Sequence, residues 1–78
     1  MKELIEFIAR SLVDDPMQVE VTTQQQGTMT ELQLQVAQED MGRVIGKHGR
    51  VANAMRSLLH VAAAQEGKEI SLDIVEPR

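Results

Sequence analysis

Three stretches of this chain alternate apolar and polar residues with a period of two, and this alternation limits the possible folds more than any other feature. Met17, Val19 and Val21 alternate with Gln18, Glu20 and Thr22; Leu32, Leu34 and Val36 with Glu31, Gln33 and Gln35; Ile70, Leu72 and Ile74 with Glu69, Ser71 and Asp73. Successive side chains of a strand point to opposite faces, so each stretch predicts a strand with one buried and one solvated face. A sheet built from them needs cover on one side only. Helical spacing supplies that cover in the rest of the chain.

From Lys2 to Val13 the residues Leu4, Ile5, Phe7, Ile8, Leu12 and Val13 recur on one side of a helix, with Glu3, Glu6 and Arg10 on the other. Asp14-Asp15-Pro16 ends it, because a residue before proline is pushed out of the helical region. The first two strands are joined across Gln24-Gln25-Gln26-Gly27, a connection short enough for a hairpin. Asp40 is expected to cap a short helix, Met41 to Ile45, that stops at Gly46. A second helix is expected from about Arg50 to Gln65, with Val51, Met55, Leu58, Leu59 and Ala62 toward the core and Gly67 at its end. The order helix, strand, strand, short helix, glycine loop, helix, strand predicts an α+β domain of two layers, with helices on one face of a three-stranded sheet. At 78 residues the chain, positions 1 to 78, reads as one domain. Phe7, its only aromatic residue, reads as core packing, and so does Met55.

The loop between the two later helices carries the chemistry. Gly42-Arg43-Val44-Ile45-Gly46-Lys47-His48-Gly49-Arg50 gathers three glycines and four basic side chains, counting His48, in a chain of net charge -4. Every carboxylate lies at or before Asp40 or at or after Glu66, so Met41 to Gln65 holds Arg43, Lys47, Arg50 and Arg56 and no acid. Gly46 can take a left-handed conformation, and the first free N–H groups of the next helix then point outward beside Lys47, His48 and Arg50. Amides and helix dipole together favour a phosphate, and glycine lets a sugar-phosphate backbone approach closely. The spacing is not that of a P-loop, which requires four residues between its glycines and a hydroxyl after the lysine, nor that of a dinucleotide fingerprint.

Val44-Ile45-Gly46-Lys47-His48-Gly49-Arg50, set after two strands and before a long helix and a strand, resembles the VIGxxGxx core of a KH domain, in the type II arrangement of bacterial proteins. With Asp40-Met41-Gly42-Arg43 leading into it, the chain resembles over essentially its whole length the small bacterial KhpA (YlqC-like) RNA-binding family. The resemblance implies a non-enzymatic protein, an RNA chaperone or post-transcriptional regulator, that holds about four unpaired nucleotides in a groove with the GxxG loop on the backbone. By position, Gly46, Lys47, His48 and Gly49 would hold phosphates. Ile45 and Val44 would floor the groove, Val44 being weighed also as a core anchor of the short helix, and Arg43, Arg50 and Arg56 would be flanking charges. One groove wall would be the short helix, loop and following helix; the other, the second strand and the Gln24 to Gly27 connection. The resemblance also implies self-association or pairing with a larger KH-containing protein. The imidazole of His48 would add a charged contact on protonation, so binding is expected to tighten as pH falls towards ~6. Aspartate at both Gly46 and Gly49 is expected to remove binding and leave the fold intact.

Other classes find less support. There is no cysteine, no metal-ligand spacing and no nucleophile set beside His48 or His60, so no catalytic, cofactor or metal site is expected. His60 reads as structural or interfacial. The absence of a long apolar run or a leader predicts a cytoplasmic protein without a membrane partner. A helix-turn-helix reader of DNA is an alternative, but Arg50 and Arg56 fall about 120° apart around their helix and no third cation joins them. A protein-interaction module with Leu59, His60 and Val61 exposed is the other alternative. Without exposed rings for stacking, a single groove of this kind implies modest affinity, which pairing would raise.

Overall fold

In the computed structural model, which describes residues 1–77, the chain runs α1 (Lys2–Leu12), a 3₁₀ turn (Pro16–Gln18), β1 (Glu20–Gln26), β2 (Met29–Gln35), a 3₁₀ turn (Gln38–Asp40), α2 (Met41–Ile45), a 3₁₀ turn (Lys47–Gly49), α3 (Arg50–Gln65) and β3 (Glu69–Val75). The three strands form one mixed sheet in the order β1-β2-β3, β1 antiparallel and β3 parallel to β2. This is the α+β, type II order expected of the chain. A parallel pair cannot be joined by a tight turn. The chain therefore crosses from the end of β2 to the start of β3 through α2 and α3, and the glycine loop is the bend in that crossover.

The core is the apolar face of the sheet and the helix faces laid on it. Val21 pairs with Leu34 across β1 and β2, and Leu32 with Leu72 and Leu34 with Ile74 across β2 and β3. Ile5 and Ala9 of α1 and Met55, Leu59 and Ala63 of α3 close over them. α1 packs on β1 and α3 on β3, with α2 against α3. The outer face of the sheet keeps the polar half of the alternation, including Glu20, Glu31, Glu69 and Asp73.

Several elements differ from the sequence expectation, each for a physical reason. Met17 is exposed and sits in the 3₁₀ turn that Pro16 opens, so the first strand begins only at Glu20. It then runs through the three glutamines: Gln26 pairs with Met29, leaving the two-residue turn Gly27-Thr28, with Gly27 at φ +61° as a type II′ turn requires at its first central position. On α3 the buried face is Ala52, Met55, Leu59 and Ala63, while Leu58 is 52% exposed and Val51 and Ala62 are half-buried. Two alanines on the buried face let the helix sit close to the sheet, and their small side chains weigh little in a reading by apolar size. Phe7 is 71% exposed rather than core, because Ile5 and Ala9 are the α1 residues turned inward. Gly67, at φ +67°, ends α3 as expected; the N–H of Lys68 donates to the Ala63 carbonyl and that of Gly67 to Ala64, the pairing of a Schellman motif.

Asp40 does not cap α2. Its backbone is helical and its side chain makes no cap bond. The carboxylate, 2% exposed, turns instead to the chain after α1: Oδ1 accepts the N–H of Asp14 at 3.0 Å and Oδ2 that of Asp15 at 3.1 Å. Arg43 Nε lies 3.2 Å from Oδ1, and Arg43 Nη2 donates to Asp14 Oδ2 at 2.9 Å. A buried carboxylate survives only with such partners, and these join the end of α1 to the start of α2. Asp40→Ala is expected to cost about 2–4 kcal/mol in urea denaturation, as charged hydrogen bonds at a buried site are lost. A loss below about 1 kcal/mol would show that this tie does not hold the two segments together.

Candidate nucleic-acid interface

The loop is built from three departures from ordinary helical backbone within four residues. Gly46 lies at φ 78°, ψ 170°, a region essentially reserved for glycine. His48 (φ 59°, ψ 24°) and Gly49 (φ 75°, ψ 15°) are left-handed. The left-handed form at Gly46 expected from the sequence is thus an extended, positive-φ form, and the left-handed turn falls on His48 and Gly49. The Gly46 N–H donates to Gly42 at 2.9 Å, closing α2, and the Gly49 N–H returns to Gly46 at 3.1 Å. Gly49 stands at the N-cap of α3 with no side chain to cap it, and the Arg50 N–H donates to the Lys47 carbonyl, so the first turn of this 16-residue helix is closed on the loop by backbone alone.

A Cβ on Gly46 would lie 2.5 Å from Val51 Cγ2 and 2.8 Å from the Val51 backbone nitrogen, whereas one on Gly49 would meet nothing nearer than Asn53 Nδ2 at 3.9 Å. Aspartate at Gly46 is therefore expected to disturb the start of α3, contrary to the expectation that the double variant keeps its fold. Only Gly49 can carry a side chain without displacing α3.

The candidate side chains divide into five groups. Lys47, His48 and Arg50 are exposed around the loop, and among the described residues neither Lys47 nor Arg50 pairs with a carboxylate. Arg43 is held by Asp14 and Asp40 and serves the join of α1 and α2. Val44 is fully buried in the core, so the apolar floor does not include it. Ile45 lines a separate hollow with Gln38, Met41, Glu76 and Pro77.

Arg56 lies farther along α3, where a cleft runs between that helix and β3. Its first part, about 150 Å³, is lined by Arg56, Leu59, His60, Ile70, Ser71 and Leu72. It continues past His60, Ile70 and Ser71 into about 350 Å³ bordered also by Met29 and Lys68. The second groove wall is therefore β3, not β2. β2 is the central strand with a neighbour on each side, and sequence order alone does not reveal that. His60 and Ser71 are the cleft residues that the sequence reading did not assign to the site. His60 follows Arg56 by one helical turn, a spacing that marks one face only once α3 is known to lie on β3. Leu59 is buried beneath them, which removes it from the docking patch considered with His60 and Val61. Phe7, the exposed ring, belongs to α1, which packs over β1 and not beside this cleft.

Residues 2–74 match the family model described as KhpA/KhpB, KH domain. The chain belongs to the KhpA/KhpB KH-domain family. Among its relatives, the RNA-binding protein KhpA of Clostridium acetobutylicum is 47% identical over 75 residues, 96% of this chain and all of that protein. That of Treponema pallidum is 48% identical over 75 residues, 96% of this chain and 94% of the relative. That of Listeria monocytogenes is 45% identical over 76 residues, 97% of this chain and all of the relative.

The two glycines are expected to respond differently to alanine. Gly49→Ala meets only the cost of a left-handed backbone, about 1–2 kcal/mol. Gly46→Ala adds a steric clash to a backbone region closed to alanine and is expected to cost about 3 kcal/mol or more. Chemical denaturation of both variants checks this, and equal losses would contradict the close contact of Gly46 with Val51.

Proposed function

We propose that the protein binds single-stranded RNA without catalysing a reaction, in the manner of an RNA chaperone or post-transcriptional regulator, with the Gly46 to Gly49 loop on the sugar-phosphate backbone. The observation that carries this reading is the glycine bend at the start of α3, which sets exposed Lys47, His48 and Arg50 together in a segment free of carboxylates from Met41 to Gln65. Support also comes from the relatives, each of which is named an RNA-binding protein. Bases unstacked from a strand held at the loop would run along the cleft between α3 and β3. Single strands fit better than a duplex, because the loop and cleft form a narrow track along one helix and present no helix to a groove.

Pairing with a second KH-containing chain belongs to the same reading. Leu58, 52% exposed, and Val61, 60% exposed, stand one turn apart as an apolar strip on the solvent side of α3. Two linked sites would raise the affinity of a surface with few strong contacts.

Sedimentation of fluorescent RNA oligomers with increasing protein reads affinity and stoichiometry together. Wild-type binding is expected to weaken with salt and to reach two chains per complex. Lys47→Ala should weaken all sequences alike and lower the salt slope by ~0.7, the share of one phosphate contact to a single strand. Gly49→Asp should abolish binding in a folded protein. A folded Gly49→Asp variant that binds like the parent contradicts the loop assignment, and a single chain per RNA at saturation contradicts the pairing.

A further inference from the structure

Arg56 is held in a way that exposed helix arginines usually are not. Its Nε donates to the Leu72 carbonyl at 3.1 Å and its Nη1 to Asn53 Oδ1 at 3.4 Å. Leu72 belongs to β3, the outermost strand of its sheet, so the side chain spans from α3 to the sheet edge and fixes its own plane on both. A guanidinium carries five N–H groups in one plane. Two are used here. One on Nη1 and both on Nη2 remain, and the Nη1/Nη2 pair forms a fork of two parallel donors.

Arg56 borders the first part of the cleft, where Leu59, Ile70 and Leu72 are buried apolar walls and His60 and Ser71 form the rim. Among the described residues no carboxylate lines this part; Glu69 lines the adjoining part, beyond His60. A flat ring entering between the apolar walls would turn an edge to Arg56. Parallel donors select an edge with two adjacent acceptors. Guanine offers O6 and N7, and unpaired cytosine offers N3 and O2, whereas neither adenine nor uracil sets two acceptors next to each other on one edge.

We propose that Arg56 gives this site base selectivity: the cleft beside it takes an unpaired guanine or cytosine in preference to adenine or uracil. This rests on the RNA-binding reading above and assigns to Arg56 the choice of base, a role separate from the phosphate contacts of the loop.

The test uses the whole protein and oligouridines of about six nucleotides in which one central uridine is replaced by guanosine, cytidine, adenosine or 7-deazaguanosine. Affinities are measured by fluorescence anisotropy at one fixed salt concentration. Guanosine or cytidine is expected to bind about tenfold tighter than adenosine or uridine, the discrimination of one bidentate arginine contact. If the gain belongs to guanosine through O6 and N7, 7-deazaguanosine loses it. If it belongs to cytidine, N3 and O2 are the edge read. Arg56→Lys keeps the charge but not the planar fork, so the ratio of affinities for guanosine or cytidine over adenosine should fall towards one, whatever the absolute affinity. Arg56→Ala should do the same, with circular dichroism confirming the helix in both variants.

Equal wild-type affinities for all five oligomers overturn the proposal. So does selectivity that survives Arg56→Lys, or a uniform weakening of every oligomer in Arg56→Ala with the wild-type ratio intact, which would make Arg56 a phosphate contact. Failure of the wild-type protein to bind any of them overturns the RNA-binding reading and the selectivity with it.

Discussion

The close approach of Gly46 to Val51 is the contact on which the rest of the site depends. A parallel β2–β3 pair obliges the chain to cross over, and the crossover must reverse direction within the few residues between α2 and α3. At Gly46 the reversal leaves no room for a Cβ, since one would lie 2.5 Å from Val51 Cγ2. Once the bend is fixed, α3 starts at the loop with exposed Lys47, His48 and Arg50 around its first turn. The buried alanines at 52 and 63 then bring α3 close along β3, and the residual gap between helix and strand is the cleft. The other join, at Asp40, fixes where α2 starts and so where the bend occurs.

Much of this was legible in the sequence. The period-two stretches at Leu32 to Val36 and Ile70 to Ile74, the helical spacing from Lys2, the stops at Gly46 and Gly67 and the span of α3 all follow from local rules, and the structure has them. What local rules could not give was long-range. Pairing with β2 extends the first strand through Gln24 to Gln26, residues whose own preferences suggest a loop. Asp40 has the residue type of a helix cap, but partners 25 and 26 positions earlier in the chain claim its carboxylate. Phe7 looks like core until the phase of α1 is set by Ile5 and Ala9. For the candidate site, the glycine loop and its cations were legible because they are contiguous. The cleft was not, because strand order brings β3 rather than β2 to α3, and no run of sequence joins Arg56 to Leu72.

Charge segregation explains how an acidic chain can present a surface for a polyanion. The net charge of -4 is carried by the ends of the sequence, and the outer face of the sheet displays Glu20, Glu31, Glu69 and Asp73. Such a face repels nucleic acid, while the loop attracts it at short range. The arrangement restricts where a strand can settle and avoids the indiscriminate coating expected of a uniformly basic protein. The exposed Phe7 ring lies on α1, away from the cleft, so the proposed binding would draw on backbone contacts and the Arg56 guanidinium more than on aromatic stacking.

An NMR titration of the isotopically labelled protein with short single-stranded RNA at low and moderate salt tests the central claim most directly. The account predicts amide shifts concentrated at Gly46 to Arg50 and continuing along Asn53 to His60 and Ile70 to Leu72, all diminishing as salt rises, with the outer-face residues Thr22, Gln33 and Asp73 unmoved. Shifts confined to Leu58 and Val61, or to the outer sheet face, with the loop silent in a folded protein, would contradict it.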